Sequence, residues 1–248
     1  MAISIDTVYQ KVLALANKEQ RGYITPQEFN LFADQAQKEI FEQYFYDLNQ
    51  FKRVPGNSSG YADMVKILEE KISLFEIYDK AYSVVGDYGR INLNEHHDIY
   101  RLTMVRVLYS GLTSMKKAEQ IQLSELNAIG DSPLTRWSKQ RPVYIRYSTM
   151  QVPEVPDRVG VYPYPENGNN VFVSYIKFPK KPNWNYQMVQ DKPFFLNDSN
   201  SQDFELHSSE ESELVYRILA LAGISIEKPS LVQAAMTLES TKVQQEKQ

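Results

Sequence analysis

The sequence contains no cysteine, which excludes thiol chemistry, and it contains only three histidines. Without cysteine the chain has no disulfide, no thiol nucleophile and no thiolate metal ligand. Two of the histidines, His96 and His97, are adjacent in the cluster Glu95-His96-His97-Asp98. Adjacent side chains do not share a face of a helix or of a strand, so this spacing does not favour chelation. We expect a solvated loop there, with no metal and no cofactor.

Sequence motifs of catalysis are missing as well. The chain has no GxSxG, Walker, GxGxxG or HExxH pattern. Its paired carboxylates, Glu69-Glu70 and Glu210-Glu211, fall on predicted helices, where a solvated helix face is expected rather than an acid–base pair. His207 stands alone before a helix start and is expected to be exposed. The sequence therefore predicts no catalytic residue and no enzyme activity.

Long apolar runs and an excess of basic charge are also lacking. No run approaches the roughly 18 apolar residues that a membrane span needs, and MAISIDTVYQ lacks the basic and apolar regions of a secretory signal. We expect a protein that folds in a cytoplasm and does not bind membranes. A net charge of −4 disfavours a protein that coats nucleic acid, but is compatible with one that surrounds DNA without gripping it.

The first part of the chain is predicted to be helical. Its strongest signal is Thr25-Pro26-Gln27-Glu28, in which Thr25 caps a helix, Pro26 takes the first helical position and Glu28 completes a capping box. Apolar residues at three- and four-residue spacing extend this helix to about Gln50; they are Phe29, Phe32, Ala36, Ile40, Tyr44 and Leu48. The other predicted helices are residues 6–18, with Asp6 as N-cap, and residues 61–71, with Met64, Ile67 and Leu68 facing inward.

The middle of the chain predicts an antiparallel sheet. Three segments, RPVYIRYS, VGVYPYPE and VFVSYIKFPKKPNW, alternate apolar and polar residues between Pro, Gly and Asn turns. The apolar positions are Val143, Ile145 and Tyr147, then Val159 and Val161, then Val171, Val173 and Tyr175. A further strand is predicted at residues 99–109 and a helix at residues 115–129, whereas residues 72–85 are ambiguous between helix and strand.

Two helices are predicted after the loop-rich residues 179–207. A capping box at residues 208–211 starts the first, which Gly223 ends. The second opens at Pro229, and its apolar positions are Leu231, Ala235 and Leu238. These positions are too few to hold an isolated helix in water. We therefore expect the three side chains to form a partner interface, as in helix-in-groove recognition.

Together these patterns predict an α+β fold. Helices from the N- and C-terminal segments would form a bundle beside an antiparallel sheet, which is built from about residues 99–109 and 142–178. The predicted division of the chain is a helical region at residues 1–98, a sheet-containing region at 99–207, and C-terminal helices with an interaction tail at 208–248.

Several segments carry a resemblance to one protein family. Residues 17–46, NKEQRGYITPQEFNLFADQAQKEIFEQYFY, resemble an opening found in structural proteins of tailed phages, including virion proteins of crAss-like phages. The middle resembles the same family at Ser132-Pro133, Arg141-Pro142-Val143-Tyr144, Val161-Tyr162-Pro163 and the stretch from Tyr175 to Trp184. The C-terminal segment ELVYRILALAGISIEKPSLVQAAMTLE is similar to the C-terminus of head–tail adaptor (tail tubular protein A-like) proteins of short-tailed phages.

The resemblance implies a structural virion protein, a subunit of a connector or adaptor ring at the head–tail junction. Such a ring, twelve-fold to match a portal, would contact the portal protein and the neighbouring ring or tail proteins. Double-stranded DNA would pass through its lumen without specific binding. Cyclic symmetry makes the subunit contacts heterologous, so each subunit uses two different surfaces.

Two alternatives from other classes remain open. A virion-associated hydrolase would need carboxylates that converge in a pocket. A glycan- or receptor-binding tail component would expose aromatic side chains for stacking. The chain has 17 Tyr and 2 Trp, for which core and subunit packing is the more common use.

Overall fold

The structure, a computed structural model, describes most of the chain. The described residues are 3–18, 24–53, 59–84, 90–92, 99–147, 158–165, 170–190, 192–225 and 237. Their helices are α1 (Ile5–Lys18), α2 (Pro26–Arg53), α3 (Ser59–Ser73), α4 (Leu123–Asp131) and α5 (Glu211–Ser225), with a 3-10 turn at Ser208–Glu210. Their strands are β1 (Glu76–Tyr82), β2 (Arg90–Asn92), β3 (Ile99–Val107), β4 (Lys116–Gln120), β5 (Val143–Tyr147), β6 (Arg158–Tyr162), β7 (Val171–Lys177), β8 (Tyr186–Val189) and β9 (Lys192–Phe195). The mixture of helices with a largely antiparallel sheet confirms the predicted α+β class.

The chain folds into two compact units. The helical unit is built from two separate parts of the sequence, Met1–Leu74 and Pro179–Gln248. The sheet unit is the continuous stretch between them, Phe75–Phe178. The unit boundaries thus follow residues 74 and 178, whereas the sequence predicted divisions after residues 98 and 207.

Helix α2 begins where the sequence predicted. The Thr25 N–H donates to the Glu28 carboxylate at 3.0 Å, and the Glu28 N–H donates to Thr25 Oγ1 at 3.3 Å, so both halves of the capping box are present. The bond from the Thr25 N–H, together with one from the Thr25 hydroxyl to the same carboxylate at 2.8 Å, holds the pKa of Glu28 below its ordinary value. The helix continues past Gln50 to Arg53. Of its predicted apolar face, four residues are buried (Phe29, Ala36, Ile40 and Tyr44) and two are half-buried (Phe32 and Leu48).

A buried amide on α2 joins the two separated parts of the helical unit. Gln37 is 0% exposed. Its Nε2 donates to the Lys180 carbonyl at 2.8 Å, and its Oε1 accepts from the Glu205 N–H at 3.1 Å. A buried amide with both ends satisfied stabilises the fold, whereas an unsatisfied one would cost about 1–3 kcal/mol. One α2 side chain therefore positions both ends of the segment that returns from the sheet unit.

Trp184 lies in the middle of this returning segment and bonds to both N-terminal helices. Its indole N–H donates to the Asp6 carboxylate on α1 at 3.0 Å, and its backbone N–H donates to Asn30 Oδ1 on α2 at 2.8 Å. Its ring centroid lies 4.2 Å from that of Tyr9. Since Trp184 is only 2% exposed, these bonds are shielded from water. The segment is held by α1 and α2 together.

Helix α5 contacts both α1 and α2 but starts differently from the prediction. The predicted capping box at residues 208–211 is wrong: His207 is the cap, and its Nδ1 accepts from the Ser209 N–H at 3.3 Å at the head of the 3-10 turn. His207 is consequently half-buried rather than exposed. The helix also passes through Gly223 and ends at Ser225.

Within the described residues, seven strands of the sheet unit form one sheet in the order β1-β7-β3-β4-β5-β6-β2. Neighbouring strands are antiparallel except β4 and β5, which are parallel. The strands predicted from alternation are β5, β6 and β7, and the strand predicted at residues 99–109 is β3. The sheet also includes β1, β2 and β4, which the sequence did not predict as strands.

The core of the sheet unit is one buried apolar cluster. Its members are Tyr82, Val84, Ile91, Val105, Val107, Tyr109, Ala118, Tyr144, Val159, Val161, Val171, Val173 and Tyr175. The alternating residues of β6 and β7 belong to it, as predicted. In β5 the predicted positions Val143 and Ile145 are buried but lie outside this cluster, whereas Tyr144 between them, which was not predicted, belongs to it. Consecutive buried residues mean that β5 is covered on both faces.

The predicted helix at residues 115–129 is wrong in its first half. Residues Lys116–Gln120 form β4, whose first residues pair with β3 and whose last two pair with β5. Helix α4 starts only at Leu123, where the Glu125 carboxylate accepts from the Gln122 N–H at 3.3 Å. Strand pairing on both sides of β4 supplies backbone hydrogen bonds that override the local helical pattern.

Three other boundaries differ from the predictions. Helix α1 starts one residue before Asp6, and Ser4 Oγ rather than Asp6 accepts from the Thr7 N–H, at 3.4 Å. The ambiguous residues 72–85 contain the end of α3 and all of β1. The predicted loop at residues 179–207 contains the hairpin of β8 and β9.

The Thr25 capping box can be tested by substitution. We predict that Thr25→Ala lowers the free energy of unfolding by about 1 kcal/mol, because α2 loses the side-chain acceptor at its N-cap. Thr25→Ser keeps an acceptor oxygen and is the control, expected to stay close to the wild type. Urea denaturation followed by circular dichroism measures both. Equal unfolding midpoints for the alanine variant and the wild type would contradict the cap.

Candidate functional site: an apolar groove with buried ion pairs

A groove of about 500 Å³ opens in the helical unit between α2, α3 and the turn before α5. Its volume lies within the range of roughly 300–1,000 Å³ that is usual for binding sites. The apolar lining is provided by Ile40, Tyr44, Phe51, Met64, Ile67 and Leu68, and the polar lining includes Asp47, Glu70, Lys71, His207, Glu210 and Glu213.

The α3 side of the groove differs from its prediction. The sequence placed Met64, Ile67 and Leu68 in the core, but only Leu68 is buried. Met64 is half-buried, and Ile67 is 47% exposed in the groove wall. An apolar helix face that is half open to water is typical of a contact surface rather than of a finished core.

An ion pair closes one end of the groove. Lys71 Nζ lies 2.5 Å from Glu210 Oε1, with 13% and 2% of the two side chains exposed. The same ammonium lies 5.6 Å from the centroid of the Tyr44 ring, a cation–π arrangement. The sequence placed Glu210 on a solvated helix face, and this prediction is wrong: the 3-10 turn directs it inward, whereas Glu69 and Glu70 are exposed as predicted.

Arg217 of α5 forms a second buried cluster beside the first. Its Nη2 lies 2.7 Å from Glu213 Oε1 and also donates to Gln43 Oε1 of α2. Its Nη1 lies 3.7 Å from the Glu39 carboxylate. One guanidinium therefore connects α5 to two positions on α2, and its planar group suits such a shared role.

The two clusters indicate structural ion pairs rather than acid–base chemistry. Glu210 and Glu213 line the same groove, but each carboxylate is paired with its own cation. A general acid in a hydrolase needs a carboxyl group that stays protonated, whereas a neighbouring cation favours the ionised form. The clusters can hold α2, α3 and α5 in register, and the groove they border can bind an apolar partner.

The described residues contain neither a cluster of metal-ligating side chains nor a membrane-spanning helix. No group of three or more histidine, aspartate or glutamate side chains in that part of the chain could hold a metal ion. Nor does any helix in the described ranges combine the length and apolar character that a bilayer crossing requires. The predicted loop histidines, His96 and His97, lie outside the described residues.

The sheet unit has a cleft of its own, of about 480 Å³, where β4 leaves β3 and joins β5. It is lined by Thr103 and Met104 of β3, residues 117–120 of β4, and Tyr144. The Tyr144 hydroxyl donates to Gln120 Oε1 at 3.2 Å. Burial raises the pKa of Tyr144, so its phenol stays a donor and not a nucleophile.

A bulge in β1 carries one ion pair across three strands. Asp79 has a φ of 49° and interrupts the β1–β7 register between Ile77 and Lys80. Its carboxylate accepts from Arg106 Nε of β3 at 2.9 Å, and its N–H donates to Ser174 Oγ of β7 at 3.1 Å. A left-handed residue outside glycine persists only when its surroundings hold it. Here the bonds to β3 and β7 do so, and the arrangement strengthens the sheet.

The residues predicted as a partner interface, Leu231, Ala235 and Leu238, lie outside the described residues. The groove was not predicted, because its lining comes from α2, α3 and residues 207–213, which are far apart in the sequence. One local signal could have indicated the groove. The apolar face of α3 carries both Met64 and Ile67, which is more apolar surface than a single buried contact with α2 requires.

The Lys71–Glu210 pair gives a sharp stability test. We predict that Lys71→Met costs about 3–5 kcal/mol of unfolding free energy, because it leaves the Glu210 carboxylate buried without its cation. The double variant Lys71→Met/Glu210→Met should recover most of this loss. Lys66→Met, at an exposed lysine of the same helix, is the control and should stay within about 0.5 kcal/mol of the wild type. Additive losses in the double variant, measured by denaturant unfolding, would contradict a coupled buried pair.

No protein-family model matches the sequence. A search of curated proteins finds no match either. A function for this chain therefore has to be argued from its own residues and surfaces.

Proposed function

We propose that this protein is a structural virion protein, a subunit of a head–tail connector or adaptor ring that joins the portal to the tail of a short-tailed phage. Twelve copies would surround the channel through which double-stranded DNA passes. The subunit would contact the portal protein and the neighbouring ring or tail proteins, at the head–tail junction of the virion. It performs no chemistry and needs no cofactor.

The observation that carries the proposal is the groove of the helical unit. It offers apolar surface to a partner, while each of its buried carboxylates, Glu210 and Glu213, is already paired with a cation. A surface built in this way supports binding of another protein rather than turnover of a substrate. An assembly protein needs surfaces of this kind, since each ring subunit must contact at least two neighbours.

The resembling segments add support from the sequence. Residues 17–46 include the capping box and the first five turns of α2, the helix that lines the groove and holds the segment returning from the sheet unit. The similar C-terminal segment begins within α5, which contacts α1 and α2. The first and last of the resembling segments thus belong to the helical unit.

The charge of the chain suits a channel protein. A net charge of −4 does not attract the phosphate backbone, so DNA can move past without being held. The three lysines at and just beyond the end of β7, Lys177, Lys180 and Lys181, are too few for a nucleic-acid groove. Passage without specific binding is what a connector requires.

The alternatives are less well supported. A hydrolase would gain from the presence of Glu210 and Glu213 in one groove, but the cations Lys71 and Arg217 keep both in ion pairs. A glycan-binding component would expose Tyr and Trp side chains together for stacking, whereas Trp184 is 2% exposed and bonded to two helices. The exposed tyrosines of the described residues, Tyr46, Tyr78 and Tyr164, lie on α2, on β1 and just after β6.

The proposal is tested by the mass of the assembled protein. By size-exclusion chromatography with light scattering, alone and with the portal protein of the same genome, we expect a species of about twelve times the 28.8 kDa subunit mass. A chain truncated after Glu227 lacks Leu231, Ala235 and Leu238 and should remain folded but assemble or bind the portal more weakly. A wild-type protein that stays monomeric in both conditions would contradict the ring. Unfolding of the truncated chain would place those residues in the subunit's own core.

A further inference from the structure

The connection between β4 and β5 carries an arm in which no side chain is buried except that of Pro142 at its end. It spans residues 121–142 and contains α4, none of whose residues is buried. Leu123 is 59% exposed and Leu134 is 92% exposed. A helix as short as α4 is not stable in water by itself, because isolated helices below about 12–15 residues are marginal. We refer to residues 121–142 as the α4 arm.

The α4 arm is nevertheless held in one conformation. The Trp137 indole packs on Gly130, where a Cβ atom would collide with the ring. The same indole lies 5.5 Å from the Tyr162 ring of β6. The Glu125 carboxylate accepts from the Gln122 N–H at the head of α4. A rigid arm loses little conformational entropy on binding, so its leucines are pre-organised for contact.

The groove of the helical unit is complementary to this arm. The arm offers exposed leucine side chains on a short helix and the turn that follows it, and the groove offers Phe51, Met64 and Ile67 around a cavity of about 500 Å³. Helix-in-groove recognition uses apolar anchors of this kind in a groove between helices. The cavity has room for more than one aliphatic side chain, but not for a whole domain.

The charges of the two surfaces are also complementary. Of the four carboxylates that line the groove, Glu210 and Glu213 are paired with Lys71 and Arg217, so Asp47 and Glu70 leave a balance of −2. The α4 arm carries three basic residues, Arg136, Lys139 and Arg141, against two acidic ones, Glu125 and Asp131, a balance of +1. Opposite charge around an apolar contact favours encounter in the correct orientation.

We propose that the α4 arm of one copy of this chain occupies the groove between α2 and α3 of the next copy, with Leu134 beside Ile67. The contact joins two different surfaces, so it propagates head to tail, as the subunits of a cyclic ring do. It rests on the proposed function only for the closure of the ring. The contact itself requires no more than two copies of the chain.

A second protruding element provides the comparison that the test needs. The hairpin of β8 and β9 also exposes apolar side chains, with Met188 at 56% and Phe194 at 55%. Two-stranded hairpins are marginally stable alone, so this one too is suited to contact. It lacks the basic excess of the α4 arm, because Lys192 is the one basic residue of its two strands.

The chain contains no cysteine, so a disulfide between introduced cysteines reports one contact without background. Leu134→Cys and Ile67→Cys are prepared as separate proteins, one carrying a mass tag, and mixed under mild oxidation. Phe194→Cys replaces Leu134→Cys in one control, and Gln27→Cys, at an exposed position of α2, replaces Ile67→Cys in the other. In parallel, Leu134→Asp is compared with Leu31→Asp, since Leu31 is also exposed, at 63%.

We expect the mixed disulfide of Leu134→Cys with Ile67→Cys to form at least tenfold faster than in either control. We also expect Leu134→Asp, but not Leu31→Asp, to reduce self-association while both keep the wild-type melting temperature. Cross-linking no faster than the controls would overturn the contact, and faster cross-linking by Phe194→Cys would assign the groove to the hairpin. A ring of the expected mass without the Leu134–Ile67 disulfide would leave the proposed function standing and remove this contact. If a chain with both substitutions formed the disulfide but assembled into open-ended polymers, the contact would be supported and the closed ring contradicted.

Discussion

The fold of the helical unit depends on one constraint. Its core is built from two stretches that are distant in the sequence, Met1–Leu74 and Pro179–Gln248, and these must be held together although the chain of the sheet unit lies between them. Gln37 and Trp184 meet this constraint. The buried amide of Gln37 binds the backbone at Lys180 and Glu205, and Trp184 bonds to both α1 and α2. Because these bonds are buried, they are strong and costly to leave unmade. They position the turn before α5 that completes the groove.

Much of the fold could be predicted because its signals are local. The Thr25–Glu28 capping box and the alternation in β6 and β7 involve residues that are close in sequence, and the structure confirms them. The predictions are wrong where contacts with distant parts of the chain determine the local structure. Residues 116–120 have a helical pattern, but β3 and β5 provide strand partners on either side. The sequence predicted Asp6 as an N-cap, but its carboxylate accepts from the Trp184 indole, a partner that is far away in the sequence.

The candidate site was less predictable for the same reason. Glu210 is the last residue of a 3-10 turn and meets Lys71 of α3, a pairing that no sequence spacing encodes. The α4 arm was not predicted: the sequence suggested only a helix at residues 115–129, and the exposure of Leu123 and Leu134 depends on what the rest of the sheet unit leaves uncovered. Catalytic motifs can be recognised within a short stretch of sequence, whereas contact surfaces are formed by the packing of distant segments. A protein that works by assembly therefore shows little of its function in sequence.

The central claim is that the chain works by occupying one place in a virion. Electron cryomicroscopy of the phage particle whose genome encodes it tests this claim most directly. The account predicts a ring of density between the portal and the tail, into which the helical unit and the sheet unit of this chain can be fitted in repeated copies around the DNA channel. Density for the chain at the tips of tail fibres, or a particle without it, would contradict the account.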